Sequence, residues 1–181
     1  GQFVPNVPLG WETMTAIAEH TRLPLDVHLM VKDNEAYVER FLALRPAQIT
    51  VHAESCDHLD RILSRIREGG AKAGVALNPH TSLDVIQYVL ERTDTILLMT
   101  VNPGFAGQKL VPGAIRKIAD CARRYDRPIT VDGNVSFEHI PAMVAAGARA
   151  LVLGSSSLFH PGDAWHSNLA RSIELAEGSV Q

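Results

Sequence analysis

The sequence predicts an α/β protein of repeated strand–helix units, with a (β/α)8 barrel favoured over an open, doubly wound sheet. Short runs rich in Val, Ile and Leu recur along the chain and end on polar residues, which is typical of strands buried on both faces of a parallel sheet. Stretches with helical periodicity separate them, as in right-handed βαβ crossovers. Polar residues inside the runs, such as His28 and His52, favour a barrel whose interior leads to a site. No G-x-G-x-x-G pattern follows the first run, although a complete six-stranded open sheet stays the alternative.

Six apolar runs are the candidate strands. They are LPLDVHLMV (23–31), AQITVHA (47–53), KAGVALN (72–78), TILLMTV (95–101), PITVDGN (128–134) and RALVLGSS (149–156). A helical pattern at 11–20 precedes the first run, whereas an α/β domain usually begins with a strand. We therefore expect residues 1–181 to form a single (β/α) barrel domain that is N-terminally incomplete, with the first β-α-β portion missing from this sequence.

Start signals predict where the helices between the strands begin. Asp33 and Asp57 are candidate N-caps, because a carboxylate there can accept from the free N–H groups of a first helical turn. Ser82 and Ser136 precede further apolar residues at helical spacing. These signals predict helices after the first, second, third and fifth candidate strands.

Composition limits the classes of function. The 181 residues carry a net charge of −3 without a cluster of Lys or Arg, so no nucleic-acid partner is expected. No run approaches the ~20 apolar residues of a membrane span, so no membrane partner is expected either. Cys56 and Cys121 lack the spacing of a metal motif and favour a reduced, cytoplasmic setting.

Three loops that follow candidate strands have the composition of a site at the carboxyl edge of a parallel sheet. The first, NPGFAGQ, is rich in Gly, so backbone N–H groups can approach a ligand; a plain connector is the alternative. The second, VDGN, ends a strand with Asp132, a candidate proton-transfer group or simply the start of a turn. The third, LGSSSLF, offers N–H groups near Gly154 to an anion such as phosphate. Together the loops predict a mobile lid, an acid and a phosphate clamp.

Asp26 and His28 share one face of the first candidate strand, since side chains at i and i+2 point the same way. A buried carboxylate is costly unless it is paired or binds a metal. With Asp132 at the mouth of the same predicted barrel, the imidazole of His28 and a carboxylate become candidate ligands of a divalent metal. For His28 alone, a satisfied core histidine is the alternative.

Three further residues lie near these candidates. His52 lies on the strand next to that of His28. It is interpreted as a structural residue or as one that contacts the metal ligands without binding the metal. Met30 and Met99 lie near strand ends, where filling the core is the default role. Soft walls against a planar intermediate are the alternative for the two methionines.

An ordered set of segments carries a resemblance to a known family. The segments are FVPN, DVHLMV, ITVHAE, ALNPHTSL, MTVNPGFAGQ, VDGN and LGSSSLF, and they extend over nearly the whole chain. In this order they resemble the ribulose-phosphate 3-epimerases, and the combination of DVHLMV with NPGFAGQ is the specific part. The related orotidine decarboxylases have D-x-K-x-x-D in place of DVHLMV, which argues against their chemistry. The resemblance implies a (β/α)8 TIM barrel of the ribulose-phosphate-binding type.

The resemblance also implies an activity, a cofactor and site residues. The implied enzyme is an isomerase of the pentose phosphate pathway that inverts C3 of D-ribulose 5-phosphate to give D-xylulose 5-phosphate. It would hold one divalent metal ion (Zn, Fe, Mn or Co) with two His and two Asp, of which His28 and Asp132 match here. The other two belong to an H-x-D segment before FVPN. Asp132 would be one of two acid/base groups acting through an enediolate, and the enzyme would be a homo-oligomer with a phosphorylated ketose as substrate. The implied substrate-binding residues are His28, Met30, Met99, Gly104, Phe105, Ala106, Gly107, Asp132, Gly133, Asn134, Gly154 and Ser155.

Departures from the family pattern keep alternatives open. Ala106 and Asn134 stand where the family usually has Gly, and the allulose-6-phosphate 3-epimerases share NPGFAGQ and a polar residue after VDG. A hexulose phosphate is therefore an alternative substrate, although NPHTSL and VNPG resemble the pentose enzyme more closely. A metal-free lyase or synthase would use a Lys at a strand end, but Lys72 opens a strand and Lys109 follows the lid. An inactive truncated barrel with only a binding role is the non-enzymatic alternative.

Overall fold

The computed structural model describes residues 1–5, 9–162 and 164–179, and along these residues it contains six α-helices and six strands. The helices are α1 (Trp11–His20), α2 (Asn34–Leu42), α3 (Leu59–Glu68), α4 (Ala114–Arg124), α5 (Ile140–Ala145) and α6 (Trp165–Glu177). The strands are β1 (Asp26–Leu29), β2 (Gln48–His52), β3 (Lys72–Leu77), β4 (Thr95–Met99), β5 (Ile129–Asp132) and β6 (Ala150–Leu151). Each strand lies inside one of the predicted runs, and the order of the strands is the order of the chain. In the described part of the chain, every helix is too short or too polar to span a lipid bilayer.

The chain divides into two compact units. The first unit comprises Gly1–Ala76 and Asp84–Thr95, and the second comprises Leu77–Leu83 and Ile96–Gln181. Nearly all of β1 to β3 belongs to the first unit, and nearly all of β4 to β6 belongs to the second. That the whole chain forms one barrel domain stays a prediction.

In the first unit, β1, β2 and β3 pair in parallel register. Asp26 lies opposite Gln48 and His28 opposite Thr50, while Gln48 in turn lies opposite Lys72. All five residues of β2 are buried, as expected of a central strand that is covered on both faces. The register aligns the carboxyl ends of β1 and β2, so that side chains from both strands meet at one edge of the sheet.

Helices α2 and α3 pack against each other through apolar faces of helical spacing. The buried apolar residues are Val38 and Phe41 on α2 and Ile62, Leu63 and Ile66 on α3. The predicted cap of α2 is confirmed, because the carboxylate of Asp33 accepts from the backbone N–H of Ala36 at 3.2 Å. The prediction for Asp57 was wrong, since α3 begins directly after His58, and the side chain of His58 makes no capping hydrogen bond.

In the second unit, β4, β5 and β6 also pair in parallel register. Met99 lies opposite Asp132, and Val131 lies opposite Leu151. The loops that follow these three strands therefore leave the sheet at its carboxyl edge, where parallel α/β proteins build their sites. Fully buried apolar side chains on the helices of this unit are Ile118, Cys121, Ile140 and Met143.

Two predicted helices differ from the structure. After Ser82 the chain makes two short 3₁₀ turns, Leu83–Ile86 and Leu90–Arg92, instead of an α-helix. The β-branched pair in the first turn has low helix propensity, which favours this outcome. After Ser136 the chain first makes a turn, in which the Ser136 hydroxyl accepts from the backbone N–H of His139 at 3.3 Å, and α5 begins only after that turn.

One face of the sheet in the first unit is polar along β2. Gln48, Thr50 and His52 occupy alternate positions of this strand and are all buried. A Cβ atom on Gly74, in the neighbouring β3, would clash with the Oγ1 atoms of Thr50 and Thr95. The polar side chains therefore fill the space beside β3 so closely that only glycine fits at this position.

Candidate active site

A series of three side chains lies at the carboxyl ends of β1 and β2. The Nε2 atoms of His28 and His52 are 3.0 Å apart, and the two rings are nearly parallel with their centroids 5.0 Å apart. Nδ1 of His52 is 3.2 Å from Oε2 of Glu54. His52 is fully buried, whereas His28 and Glu54 are partly exposed. The predicted ligand His28 is therefore linked through a buried imidazole to a carboxylate.

The turn that carries Glu54 is fixed to the loop after β1. Residues Ala53–Ser55 form a 3₁₀ turn directly after β2, which returns the Glu54 side chain towards the imidazole at the end of the strand. Asn34 is buried at the start of α2, and its Nδ2 donates to the carbonyl oxygens of Ser55 at 2.7 Å and Val31 at 3.1 Å. One amide group thus holds the ends of both strands together.

An aromatic ring shields His52 from water. The ring of Phe3 meets the imidazole edge-on, with 4.7 Å between the ring centroids. The segment that carries Phe3 is held by a hydrogen bond of 3.2 Å from the backbone N–H of Gln2 to the carbonyl oxygen of Met30, just after β1. Because the apolar ring excludes water, hydrogen bonds of the imidazole are stronger than they would be at the surface.

Asp26 begins β1 and is paired with an amide. Nε2 of Gln48 lies 3.2 Å from each carboxylate oxygen of Asp26, and Oε1 of Gln48 accepts from the Thr95 hydroxyl at 3.1 Å. Partial burial raises the pKa of Asp26 above its ordinary value, against the opposing effects of the Gln48 hydrogen bond and the charge of His28. The acid inside the strand therefore belongs to a polar network at the N-terminal end of β1 and β2.

Asp132 ends β5, and the two residues after it have unusual backbone conformations. Asp132 is partly exposed, and its carbonyl oxygen accepts from the backbone N–H of Thr100 at 2.8 Å. Gly133 has φ +113°, and a Cβ there would lie 2.9 Å from the backbone nitrogen of Val101, so glycine is required. Asn134 has φ 45°, in the left-handed region that Asn tolerates better than most residues. Asn134 thus has a left-handed backbone conformation, which also suits the Gly that the resembled family usually has at this position.

Two glycines and one glutamine shape the loop at 102–108, which is the predicted lid. Gly104 and Gly107 have positive φ angles of 128° and 79°, which favour glycine at both positions. The Gln108 side chain donates to two carbonyl groups of the loop, one of them that of Phe105 at 3.0 Å. The Phe105 side chain is 66% exposed, which suits a residue that closes over a bound ligand.

Gly154 and Ser155 open a turn after β6. The backbone N–H of Val152 donates to the carbonyl oxygen of Val131 at 2.9 Å, so this turn leaves the sheet beside the loop after β5. A Cβ on Gly154 would meet no atom within 4 Å, which leaves open space at its backbone. The nearby Ser157 hydroxyl is buried and, within the part of the chain that the structure describes, makes no hydrogen bond.

The two methionines also lie at strand ends. Met99 is the last residue of β4, is buried and lies opposite Asp132 in the register. Met30 directly follows β1 and is partly buried. In the second unit, the predicted residues at the carboxyl edge are Met99, Gly104, Phe105, Ala106, Gly107, Asp132, Gly133, Asn134, Gly154 and Ser155.

Sequence comparison supplies the observation that decides the family. The sequence profile of the Ribulose-phosphate 3 epimerase family matches residues 1–159. The chain belongs to this family. A ribulose-phosphate 3-epimerase of Bacillus subtilis (strain 168) is 44% identical over 162 residues, which cover 86% of this chain and 75% of the relative. One from Escherichia coli (strain K12) is 39% identical over 165 residues, covering 88% of this chain and 73% of the relative. The chain is thus an epimerase of carbohydrate metabolism, as the resemblance implied.

A distant solved structure shares the fold of this epimerase. The 3-hexulose-6-phosphate synthase from Salmonella typhimurium superposes with a TM-score of 0.73 at 16% identity, covering 93% of this chain and 81% of that one. At this identity the likeness shows the fold alone. Together with the parallel strands and their helices, it confirms the predicted α/β class of the TIM-barrel type.

The side chains of His28 and Asp132 have the donor types of the metal site that the family resemblance implies. Imidazole and carboxylate groups, as at His28 and Asp132, suit Zn, Fe, Mn or Co. Among residues 1–5, 9–162 and 164–179, however, no group of three or more His, Cys, Asp and Glu side chains could hold a metal ion. The described donors therefore fit a metal in kind but are too few for a complete protein-bound coordination sphere.

The cysteines of this epimerase do not supply a nucleophile. Burial raises the pKa of the Cys56 thiol to about 12 and that of the Cys121 thiol to about 11. Both groups are therefore protonated thiols at neutral pH, and a thiol is a weak nucleophile compared with its thiolate.

Three residues around the site were missed by sequence reasoning: Asn34, Gln48 and Glu54. Glu54 follows His52 by two positions just after a strand, and this spacing is a signal for a carboxylate that turns back to an imidazole. The roles of Asn34 and Gln48 depend on residues more than 20 positions away, so no local pattern could show them.

Proposed function

We propose that this epimerase inverts C3 of a phosphorylated ketose and interconverts D-ribulose 5-phosphate and D-xylulose 5-phosphate in the pentose phosphate pathway. The observation that supports this most directly is Asp132, a partly exposed carboxylate at the carboxyl end of β5, inside the family match over residues 1–159. Relatives that bear the name ribulose-phosphate 3-epimerase, at 39% and 44% identity, support the pentulose as substrate.

Inversion requires a proton to leave C3 on one face and return on the other. The C3–H bond is acidic because C3 is next to the C2 ketone. The Asp132 carboxylate takes this proton, and the C–H electrons form the C2–C3 double bond of an enediolate while negative charge moves to O2. A carboxylic acid on the opposite face then gives its proton to C3, the ketone re-forms, and Asp132 keeps the first proton. The resemblance assigns this second acid to the H-x-D segment before FVPN.

We propose His28 and Asp132 as two ligands of one divalent metal ion (Zn, Fe, Mn or Co). When bound, such an ion supplies positive charge close to a developing oxyanion. The family resemblance supports both assignments, and the H-x-D segment would provide further ligands.

The loop at 102–108 is proposed to close over the substrate. The small residues Gly104, Ala106 and Gly107 allow the backbone to approach a ligand, and the exposed Phe105 side chain could cover it. Closure would exclude water, which would otherwise protonate the enediolate on either face. Met30 and Met99 are proposed as apolar walls of the same site.

The phosphate is proposed to bind at the loops after β5 and β6. Gly133 and Asn134 follow β5, and Gly154 and Ser155 follow β6, so their backbone N–H groups belong to neighbouring strand ends. The open space at Gly154 supports a polar ligand near this edge, as does the buried Ser157 hydroxyl, which makes no hydrogen bond to residues 1–5, 9–162 or 164–179. Backbone donors of this kind bind phosphate without a lysine.

A hexulose phosphate is the second candidate substrate. Ala106 in the proposed lid and the polar Asn134 after VDG are the features that favour it, since the allulose-6-phosphate 3-epimerases resemble this chain in NPGFAGQ and in having a polar residue after VDG. The pentulose stays the first proposal because both named relatives are ribulose-phosphate 3-epimerases.

We also propose that the enzyme is cytoplasmic and forms homo-oligomers. The free thiols of Cys56 and Cys121 are compatible with a reducing compartment. The family resemblance supports self-association. Analytical ultracentrifugation at several concentrations tests the second proposal, and a single monomeric species throughout would reject it.

The function is tested by an epimerase assay on both ketose phosphates, before and after chelation. We expect D-ribulose 5-phosphate to be turned over with the higher kcat/KM, and turnover to fall on chelation and to return when the metal is restored. A higher kcat/KM for D-allulose 6-phosphate would select the alternative substrate. Full activity after exhaustive chelation, with no metal detected by mass spectrometry, would reject the metal proposal.

A further inference from the structure

A lysine on α4 holds the backbone of residues 78–83, the loop that follows β3. Nζ of Lys117 donates to the carbonyl oxygens of Asn78 at 2.6 Å and Thr81 at 2.7 Å. The carbonyl oxygen of Pro79 lies 3.4 Å from the same nitrogen. Hydrogen bonds from a charged donor are stronger than those between neutral groups. One ammonium group therefore gathers three carbonyl groups of the 78–83 loop.

The 78–83 loop is folded so that its carbonyl groups converge. The backbone N–H of Thr81 donates to the carbonyl oxygen of Asn78 at 3.1 Å, which closes a tight turn. Asn78 is buried and Lys117 is partly buried, so the contact is partly shielded from water. Converging backbone carbonyl oxygens are also the ligands that proteins offer to a monovalent cation such as potassium. The turn thus has the design of a cation site whose cation is the lysine side chain.

A second contact fixes the other end of the 78–83 loop. Tyr125, directly after α4, is buried, and its hydroxyl donates to the carbonyl oxygen of Leu83 at 2.9 Å. Segment Leu77–Leu83 belongs to the second unit, although the residues on both sides of it belong to the first. The contacts of Lys117 and Tyr125 account for this, because both residues join the loop to a helix of the second unit.

Helix α4 is also joined to the strand ends of the second unit. The backbone N–H of Val111 donates to the carbonyl oxygen of Thr100 at 2.9 Å, and α4 begins three residues later. The N–H of Thr100 donates in turn to the carbonyl oxygen of Asp132 at 2.8 Å. The chain between Thr100 and Val111 contains the proposed lid. Helix α4 therefore connects the 78–83 loop with the strand ends that carry the lid and Asp132.

We propose that Lys117 is a positioning residue whose ammonium group acts as a built-in monovalent cation. It holds the 78–83 loop at the carboxyl edge, and its removal leaves a carbonyl-lined site for an external ammonium ion. This inference rests on the proposed function, in which the carboxyl edge binds the substrate, but binding of an ammonium ion can be measured without substrate. A shift of about 1 Å in a wall of a site can cost about 100-fold in rate, so a loosened loop lowers turnover.

The test uses Lys117→Ala, which lacks the propylammonium part of the lysine side chain. We expect its turnover of D-ribulose 5-phosphate per folded molecule to be about 10- to 100-fold below wild type. Added n-propylammonium should restore most of this loss in a saturable manner, because it brings the missing donors to the carbonyl groups. Tetramethylammonium at the same ionic strength should restore nothing, since its nitrogen carries no hydrogen.

Two variants serve as controls. Lys117→Met fills most of the same space with an apolar chain, so it should show the loss without the rescue. Arg116→Ala removes an exposed cation from the preceding position of α4 and should behave as wild type. Wild-type turnover in Lys117→Ala would contradict the proposal. A loss that the two ammonium salts restore equally, or that neither restores, would contradict it as well.

The cation site is also tested without substrate. Circular dichroism measures the melting temperature and the folded fraction of Lys117→Ala, which n-propylammonium should raise and tetramethylammonium should not. This measurement decides the matter if the variant is too unstable to assay, and an equal effect of both salts would overturn the proposal. Failure of the wild-type protein to turn over either ketose phosphate would instead reject the proposed function, while selective stabilisation of Lys117→Ala would still support the cation site.

Discussion

The two ends of the β1–β2 pair carry networks of similar chemistry but different design. At the N-terminal end, the carboxylate of Asp26 pairs with Gln48, whose carbonyl in turn accepts from Thr95. At the carboxyl end, the carboxylate of Glu54 pairs with His52, which meets a second imidazole. The first network ends on the Thr95 hydroxyl, whereas the second ends on the partly exposed imidazole of His28. We therefore expect the first network to contribute mainly to stability and the second mainly to activity, because sites of parallel α/β proteins lie at the carboxyl ends of the strands.

The largest expected effect is at the carboxyl end. His28→Gln removes the imidazole that we propose as a metal ligand and keeps a polar side chain, so we expect turnover to fall about 100-fold or more with a nearly unchanged melting temperature. Steady-state kinetics and thermal unfolding of the same preparation check both. A large loss of melting temperature would show that His28, like Asp26, mainly stabilises the fold.

The next effect concerns packing between the two ends. Gly74→Ala places a methyl group against the hydroxyls of Thr50 and Thr95, so we expect about 1–3 kcal/mol of destabilisation. Turnover per folded molecule should be close to that of wild type. Denaturant unfolding measures the stability, and kinetics with an active-site titration measure the turnover per folded molecule. Gly70→Ala is unsuitable as a control, because the positive φ of Gly70 would add backbone strain. A stability equal to that of wild type would show that the polar face is loosely packed.

A smaller effect is expected at the N-terminal network. Gln48→Met keeps the side-chain volume but removes the donor to Asp26 and the acceptor for Thr95. Because the exposed side of Asp26 can regain water, we expect a loss of only about 1 kcal/mol in unfolding free energy. Urea unfolding measures it. A fall in kcat larger than tenfold would refute the division of roles between the two ends.

The smallest effect is a change in pH dependence. The folded-state pKa of Asp26 is raised by burial, so the folded protein binds this proton more tightly than the unfolded chain. Its contribution to stability therefore falls as the pH rises from its ordinary value through the raised one. Asp26→Asn keeps a carbonyl acceptor for Gln48 and removes this dependence. Urea unfolding at acidic and at neutral pH measures the unfolding free energy that is lost when the pH rises. This loss should be smaller in Asp26→Asn than in wild type, and an equal or larger loss in the variant would contradict the assignment.

The sequence predicted the strands and the residues at their ends better than the contacts between them. Val-, Ile- and Leu-rich runs identify buried parallel strands, and this signal located all six strands in the described residues. The pairing of His28 with His52 depends on the register of two strands, which an apolar run does not specify.

Local signals also failed where neighbouring residues decided the outcome. Asp57 was predicted to cap α3, but the residue at the N-cap position is His58, one residue later in the chain. Conversely, Asn134 departs from the Gly of the family pattern but keeps the left-handed backbone conformation of this turn, which Asn tolerates. Backbone dihedral angles of this kind could not be derived from the motif alone.

The most direct test of the account is the exchange of the C3 hydrogen in Asp132→Asn. Asp120→Asn, a partly exposed carboxylate on α4 that pairs with Arg123, is the matched control. We expect Asp132→Asn to bind D-ribulose 5-phosphate. Exchange of the C3 hydrogen of this substrate with solvent deuterium should be at least ~100-fold slower than in wild type, and so should epimerisation. Asp120→Asn should behave as wild type. Wild-type exchange and turnover in Asp132→Asn would contradict the proposal that this carboxylate transfers the proton.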